Sequence, residues 1–181
     1  ATLCNKGVFL ENGSVKFIGG IEETISLYIS EGAKEAEYIG KNLRNDIHFK
    51  RVSIVNKKGN TVDLIPYNEQ IGIKFELGNK KNIPSATLSF TIYDAKLNAI
   101  STSHYELKNN CEEITAKIQA NFLLTGNYYI NPVLHIPNVR FLDKCDEYLT
   151  FRVEDTGSVH SVYNRPDLGI INISDLLYYF P

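Results

Sequence analysis

The most regular feature of the sequence is an alternation of apolar and polar side chains, which begins near residue 46 and recurs along the rest of the chain. It is clearest in residues 71–77, where isoleucine, phenylalanine and leucine occupy every second position. A strand carries this period-two pattern when one of its faces contacts a hydrophobic core and the other contacts water. The pattern predicts strands at 71–77, 86–92, 114–122 and 149–153, with further strands at 49–55, 98–105, 128–136 and 168–173.

Short polar segments rich in glycine, asparagine and aspartate separate these strands, as at Gly78-Asn79 and Gly126-Asn127. Such residues favour turns, because glycine and asparagine tolerate positive φ and aspartate hydrogen-bonds its own backbone. About eight strands at this spacing predict an all-β domain built as an antiparallel β-sandwich.

The first thirty residues follow a different pattern. Residues 6–10 and 15–18 are short strand candidates, and the Asn12-Gly13 step between them suits a tight hairpin turn. Residues 21–29 repeat apolar side chains at helical spacing, so a short helix is predicted after the hairpin. The polar stretch over residues 31–45 is predicted to be a linker.

The net charge and the composition argue against some classes of binding partner and some locations. A net charge of −2 gives no general attraction for nucleic acid or anionic lipid, so neither is predicted as a partner. No stretch approaches the roughly 20 apolar residues of a membrane-spanning helix, and the first thirty residues lack the apolar run of a signal peptide. There is no methionine, even at position 1. The sequence is therefore expected to be a piece of a longer protein.

The three cysteines, Cys4, Cys111 and Cys145, are widely spaced and lack the paired spacing of a zinc site. They are predicted to be reduced, partly buried thiols. The spacing leaves open whether Cys111 and Cys145 form a disulfide.

Candidate catalytic chemistry is weak throughout the chain. The histidines include no His-x-His pair that would place two imidazoles on one strand face, so no metal site is predicted. Carboxylates are so plentiful that a chance pair would carry no meaning, and no Gly-x-Ser-x-Gly elbow supports a serine nucleophile. The phosphate-binding loop of ATPases does not occur in the sequence. The chain is predicted not to be an enzyme and to need no cofactor.

Residues 4–15, with Leu10-Glu11-Asn12-Gly13 at the turn, resemble the end of the nucleotide-binding domain of an ABC transporter, although Asn5 stands where aspartate is more usual. In the β-rich part, two segments resemble strands of a C-terminal domain that follows such a domain: Gly126-Asn127-Tyr128-Tyr129-Ile130 and Phe151-Arg152-Val153-Glu154-Asp155. Together these segments resemble the ATP-binding subunits of ABC exporters for O-antigen polysaccharide, the Wzt family. The last residues of the chain do not match the family.

This resemblance implies three parts: a remnant of the nucleotide-binding domain in residues 1–30, a linker in 31–45, and an immunoglobulin-like or jelly-roll sandwich in 46–181. It implies non-catalytic recognition of O-antigen polysaccharide near its non-reducing end, which couples substrate selection to export. The implied partners are the polysaccharide, a second copy in a homodimer, and the transmembrane permease, reached through the ATPase domain. The implied location is cytoplasmic, peripheral to the inner membrane.

Sugar binding calls for aromatic faces against the C–H side of a pyranose ring and for polar groups that hydrogen-bond its hydroxyls. Three tyrosines take the water-facing parity on the predicted strands, and Arg152 would also suit a phosphate or another anionic cap. The parity of a residue within a strand decides which face of the sheet its side chain lies on, but not where on that face it lies. Tyrosine is also common at exposed strand positions because of its strand propensity alone. The candidate glycan-binding residues are Tyr93, Tyr105, Tyr129, Asn131, His135 and Arg152.

A competing hypothesis is a protein-interaction sandwich that docks the ATPase to its membrane partner or to a chain-terminating enzyme. A sugar-modifying enzyme is a third hypothesis, which the weak catalytic candidates disfavour. The aromatic terminus Tyr178-Tyr179-Phe180 is predicted either to cap its own sandwich or to cross to a second copy, because an apolar terminus rarely stays in water.

Overall fold

Two β-sheets packed face to face form the sandwich in the computed structural model. The structure describes residues 4–11, 13–21, 23–24, 27, 36–79, 81–156 and 169–172. The strands within these residues are β1 (Lys6–Glu11), β2 (Ser14–Gly20), β3 (Glu37–Ile39), β4 (Ile47–Val55), β5 (Leu64–Pro66), β6 (Ile71–Asn79), β7 (Thr87–Tyr93), β8 (Ala99–Glu106), β9 (Glu113–Ile118), β10 (Gly126–Ile136), β11 (Arg140–Lys144) and β12 (Leu149–Glu154).

The larger sheet has six strands in the order β5-β12-β10-β7-β8, with β11 also paired to β10. The smaller sheet has four strands in the order β3-β4-β6-β9. All described pairings in the two sheets are antiparallel except that of β12 with β5. The prediction of an all-β, antiparallel sandwich is therefore confirmed.

The apolar positions of the alternating strands form one core between the sheets. Phe75 of β6 and Phe90 of β7 meet across the interior with ring centroids 5.6 Å apart, and Phe49 of β4 lies 6.3 Å from Phe75. Burial of these side chains removes apolar area from water, at about 25 cal/mol per Å². The side chains at the alternate positions of the same strands lie on the two outer faces, where they can contact a ligand or a partner.

A two-stranded hairpin of β1 and β2 precedes the sandwich in the chain. Gly13 at its turn has a φ of 80°, which glycine adopts without strain. The hairpin was predicted, and the described residues Ile21, Glu23, Thr24 and Leu27 have the helical backbone expected after it. Among the described residues, no helix has the length and apolar character needed to cross a membrane.

The polar stretch predicted as a linker contributes to the sandwich. Within it, Glu37–Ile39 forms β3 and pairs with β4 at the edge of the four-stranded sheet. Ala36 and Tyr38 are buried in the core. A strand of three residues is too short for its alternation to stand out in the sequence. The sandwich therefore includes residue 36, ahead of the predicted start at residue 46, whereas the division near residue 30 stays a prediction.

Other strand predictions differ from the structure at their ends. The strand predicted at 114–122 stops at Ile118, because Asn121 takes a positive φ of 64° and its N–H donates to the carbonyl of Tyr67. The short strands β5 and β11 were not predicted. In the region predicted as a strand at 168–173, Ile171 forms an isolated bridge with Leu123. The aromatic terminus lies outside the described residues.

Cys4, Cys111 and Cys145 are free thiols in the structure. Burial, with a contribution from the nearby carboxylates Asp143 and Asp146, raises the pKa of the Cys145 thiol well above its ordinary value. Because the thiolate is the reactive form, a thiol reagent at mildly alkaline pH should modify exposed Cys4 and half-buried Cys111 but not Cys145 in the native protein. Peptide mass spectrometry checks this, with all three reacting after denaturation. Native labelling of Cys145 as fast as Cys4 would contradict it.

Candidate functional site

The outer face of the six-stranded sheet concentrates side chains that hydrogen-bond without formal charge. The register aligns β8, β7 and β10 so that their outward residues form rows across the sheet, with direct neighbours about 4.5–5.5 Å apart at Cβ. We call these residues together the β7 face. From one end of β7 to the other, its rows are Glu106–Thr87–His135, His104–Ser89–Val133, Thr102–Thr91–Asn131 and Ala99–Tyr93–Tyr129.

Four of the six predicted binding residues, Tyr93, Tyr129, Asn131 and His135, belong to the β7 face. A fifth, Arg152, lies on β12 at its margin. Arg152 pairs with Asn127 of β10, two residues before Tyr129, and so points to the same side of the sheet. The register thus agrees with the outward parity predicted for these five residues and brings them onto one surface. Their contact with glycan stays a prediction.

Tyr105 lies on the other side of the sheet, so its predicted parity was wrong. Its cross-strand neighbour is Leu88, whose side chain is buried in the core. The parity prediction relied on Ile100 as an inward residue, but the pairing shifts between Ile92 and Tyr93, and Ile100 is the extra residue opposite them. Such a bulge reverses the alternation along a strand. Tyr105 is nevertheless 40% exposed, because β8 is an edge strand.

An aromatic cluster closes one end of the β7 face. The ring of Tyr148, in the segment before β12, packs edge-on against Tyr93 at 5.6 Å and against Tyr129 at 6.4 Å. Leu97 also packs against this cluster. Tyr129 is buried beneath its neighbours, and burial raises its pKa. Because Tyr93 and Tyr148 are only half-buried, these two rings are the ones available to a ligand.

Ser89 links two imidazoles near the other end of the β7 face. Its Oγ lies 2.7 Å from His104 Nδ1 and 2.7 Å from His135 Nε2. Ser89 itself is buried, whereas His104 is exposed and His135 half-buried. In the next row, the hydroxyls of Thr91 and Thr102 hydrogen-bond at 2.9 Å. These contacts hold the polar groups in fixed positions, and such preorganisation would lower the entropy cost of binding any ligand.

Sequence reasoning missed Ser89, Thr102, His104 and Tyr148 as members of this surface. His104 and His135 come together because β8 and β10 both flank β7. A search for His-x-His spacing cannot detect two histidines that lie on different strands. Tyr148 lies between strands, where a period of two assigns no face. Two signals were usable: the polar parity of Ser89 in the predicted strand at 86–92, and the parity that Thr102 shares with His104. The bulge at Ile100 concealed the direction of the second.

The outer face of the four-stranded sheet has a different chemistry. Arg51 pairs with Glu37 at 3.2 Å, and Lys74 pairs with Glu113 at 3.1 Å and with Glu76 at 3.6 Å. These pairs are partly exposed, so water still reaches their charges and they contribute little stability. In the part of the chain that the structure describes, no ion pair involves a residue of β7, β8 or β10.

The surface clefts of the described residues do not coincide with the β7 face. Two clefts, of about 540 and 460 Å³, share Asn56, Lys57 and Gln70, and neither is lined by a residue of the β7 face. A third, of about 430 Å³, is lined by Arg44 and Arg140 among others. Within the described ranges, no three His, Cys, Asp or Glu side chains are grouped so that they could hold a metal ion.

Comparison with known proteins gives one family match. A family model described as the Wzt C-terminal domain matches residues 44–166, which span β4 to β12 and the whole β7 face. A solved structure titled as the C-terminal domain of wzt is similar to this chain, with a TM-score of 0.56 and 10% sequence identity. The match covers 81% of this chain and 89% of that one. No match was found among curated proteins.

Two other solved structures are similar over a smaller part of the fold. A β-glucuronidase from Parabacteroides merdae has a TM-score of 0.40 and 13% identity, over 60% of this chain and 13% of that chain. An immunoglobulin-like protein from Pseudomonas aeruginosa has a TM-score of 0.37 and 9% identity, over 57% of this chain and 89% of that chain.

Proposed function

This chain belongs to the Wzt C-terminal domain family, which carries a role in O-antigen export, and from this premise we propose that it binds O-antigen polysaccharide without catalysing a reaction. In this proposal the sandwich recognises the polysaccharide near its non-reducing end and so selects the substrate that the exporter transports. The binding surface is the β7 face together with Tyr148 and Arg152.

The observation that carries this proposal is the contrast between the two outer faces. The outer face of the four-stranded sheet is occupied by charged side chains that pair with one another. The β7 face instead offers hydroxyls, an amide, imidazoles and tyrosine rings. Sugars present hydroxyls that both donate and accept hydrogen bonds, and C–H faces that pack on aromatic rings. The β7 face matches both properties.

Each residue has a definite role in this proposal. Tyr93 and Tyr148 pack against the C–H face of one sugar, while the buried ring of Tyr129 supports them from beneath. Sugars farther along β7 hydrogen-bond with Asn131 and His135. They also hydrogen-bond with Thr102 and His104, which the sequence alone did not indicate. Arg152 binds at the margin, beside Asn127. Several weak contacts of this kind suit a substrate that must later be released.

The wider setting is also part of the proposal. The chain works as a homodimer in the cytoplasm, peripheral to the inner membrane, and reaches the transmembrane permease through an ATPase domain of the parent protein. Support for this setting comes from the family and from the resemblance of residues 4–15 to the end of a nucleotide-binding domain. Each copy would present one β7 face, so a dimer would hold two glycan chains or two parts of one chain.

Replacing Tyr93 with alanine is expected to weaken binding of the recognised O-polysaccharide by roughly tenfold, because a central aromatic contact is lost. Tyr105→Ala is the matched control, since Tyr105 is also a partly exposed tyrosine in the same sheet but faces away from the β7 face. We expect it to change the affinity by less than about twofold. Calorimetric titration against a panel of purified O-polysaccharides measures both, and unfolding midpoints of the variants exclude a loss of fold.

Equal losses in the two variants would contradict the assignment of the β7 face. If no O-polysaccharide in the panel binds, the result would favour the competing hypothesis. In that hypothesis the sandwich docks the ATPase to its membrane partner or to a chain-terminating enzyme. The observation that favours this second function is the β1–β2 hairpin, where Val8, Leu10, Val15 and Ile18 are 55–63% exposed.

A further inference from the structure

We propose that the β7 face selects an uncharged stretch of polysaccharide and discriminates against acidic glycans. This inference rests on the glycan-binding function proposed above and adds the class of sugar that is recognised. It is based on where charges lie on the six-stranded sheet and on the hydrogen-bonding state of the two imidazoles that share Ser89.

Among the described residues of the six strands, formal charges on the outer side of the sheet lie only at its margins. Glu106 is at the end of edge strand β8, and Arg152 and Glu154 are on β12. Lys144 is at the end of β11, where it pairs with Val133 and so borders the row led by His104. There are two charges of each sign, so these strands carry no net attraction for an anion. The three rows led by His104, Thr102 and Ala99 contain no carboxylate, ammonium or guanidinium group.

A carboxylate or phosphate on the glycan would therefore lose water over the centre of the β7 face without gaining a cation. Desolvation of an unpaired charge is far more costly than desolvation of a hydroxyl that finds a hydrogen-bond partner. Sites that select anions use arginine or lysine, often in bidentate geometry. The side chains that line the middle rows, Thr91, Thr102 and Asn131, are suited instead to neutral hydroxyls.

The histidine pair adds a complementary donor and acceptor. The hydroxyl of Ser89 has one proton, so with both rings neutral it donates to one imidazole and accepts an N–H from the other. The imidazole that accepts from Ser89 must carry its one proton on the nitrogen that does not contact Ser89. The imidazole that donates to Ser89 has no proton on its other nitrogen, which can therefore accept. His104 Nε2 and His135 Nδ1 therefore present one donor and one acceptor. Two adjacent sugar hydroxyls satisfy such a pair, whereas a carboxylate can only accept.

The length of the β7 face indicates an oligosaccharide stretch and not a single sugar. Thr87 and Tyr93 lie at opposite ends of β7, and at about 3.3 Å per residue the strand separates them by about 20 Å. Tyr93 and Tyr148 mark the apolar end, and the histidines mark the polar end. A chain of neutral sugars laid along β7 would contact both.

The test uses the O-polysaccharide panel of the proposed function, sorted into repeat units without charge and repeat units with uronic acid or phosphate. Titrations at low and high salt should identify a neutral polysaccharide as the binder, with less than about twofold change in affinity between the salt conditions. Acidic polysaccharides should bind at least about tenfold more weakly or not at all.

Asn131→Asp provides the matched variant, because it places a carboxylate in the middle of the β7 face with almost no change of shape. It should weaken binding of the neutral polysaccharide by about tenfold, whereas Thr115→Asp on the outer face of the four-stranded sheet should have little effect. An acidic binder whose affinity falls steeply with salt would overturn the selectivity and leave the glycan-binding function standing. No binder of either class would overturn both.

Discussion

Replacing Phe75 with alanine is expected to lower the free energy of unfolding by about 3–5 kcal/mol. Phe75 has no exposed surface, and its ring lies between Phe49 of its own sheet and Phe90 of the opposite sheet. Truncation would remove contacts that join the two layers and leave a cavity that backbone strands cannot readily collapse to fill. Of the changes considered for this chain, this one should have the largest effect on stability.

Urea unfolding followed by circular dichroism measures this loss. Phe141→Ala is the matched control, because the same side chain is 74% exposed there and little packing is removed. We expect the control to change the free energy of unfolding by less than about 0.5 kcal/mol. A comparable loss in both variants would mean that the Phe75 ring does not bridge the sheets.

The second large effect is expected from Asp143→Ala, which should lower the free energy of unfolding by roughly 2–4 kcal/mol. Asp143 is a buried residue of β11, and its Oδ2 accepts a hydrogen bond from the backbone N–H of Phe49 at 2.9 Å. Its Oδ1 accepts from Asn42 Nδ2 at 3.0 Å. Without the carboxylate, the buried N–H of Phe49 loses its partner, and β11 loses a polar link to the four-stranded sheet.

Two further variants separate the hydrogen bonds from the charge. Asp143→Asn retains one oxygen that can accept from Phe49 and should lose about half as much stability as the alanine variant. Asp46→Ala removes an exposed carboxylate that pairs with Lys81 and should cost less than about 1 kcal/mol. If Asp46→Ala and Asp143→Ala prove equally mild in chemical denaturation, the two buried hydrogen bonds are not the source of the effect.

Phe75 and Asp143 help to explain how the sandwich presents the β7 face. Phe75 and Phe90 keep the two sheets in contact, and Phe90 is on β7 itself, so its inward packing directs Ser89 and Thr91 outward. Asp143 holds β11 to β4, while β11 extends the sheet beside His135 through the pairing of His135 with Phe141. Core packing therefore supports the side chains that the proposed function assigns to glycan.

Much of the fold was predictable from local pattern. Alternation in residues 71–77 and 149–153 correctly separated inward Phe75 and Phe151 from outward Lys74 and Arg152. The same rule placed Tyr93, Asn131 and His135 on an outer face. It did not find β3, because three residues give too little alternation, and it reversed Tyr105, because a single extra residue at Ile100 inverts every position that follows it.

The sequence by itself determined the fold class, the hairpin at the start and the face on which most strand residues lie, because each depends on near neighbours along the chain. Only the tertiary structure decided that Ser89, His104 and His135 meet and that Tyr148 covers Tyr129. It also decided that ion pairs lie on the outer face of the four-stranded sheet, whereas the middle rows of the β7 face carry neutral groups. Those features depend on which distant strands pair and in which register. Strand pairing is chosen by the packing of the whole core, and no local spacing encodes it.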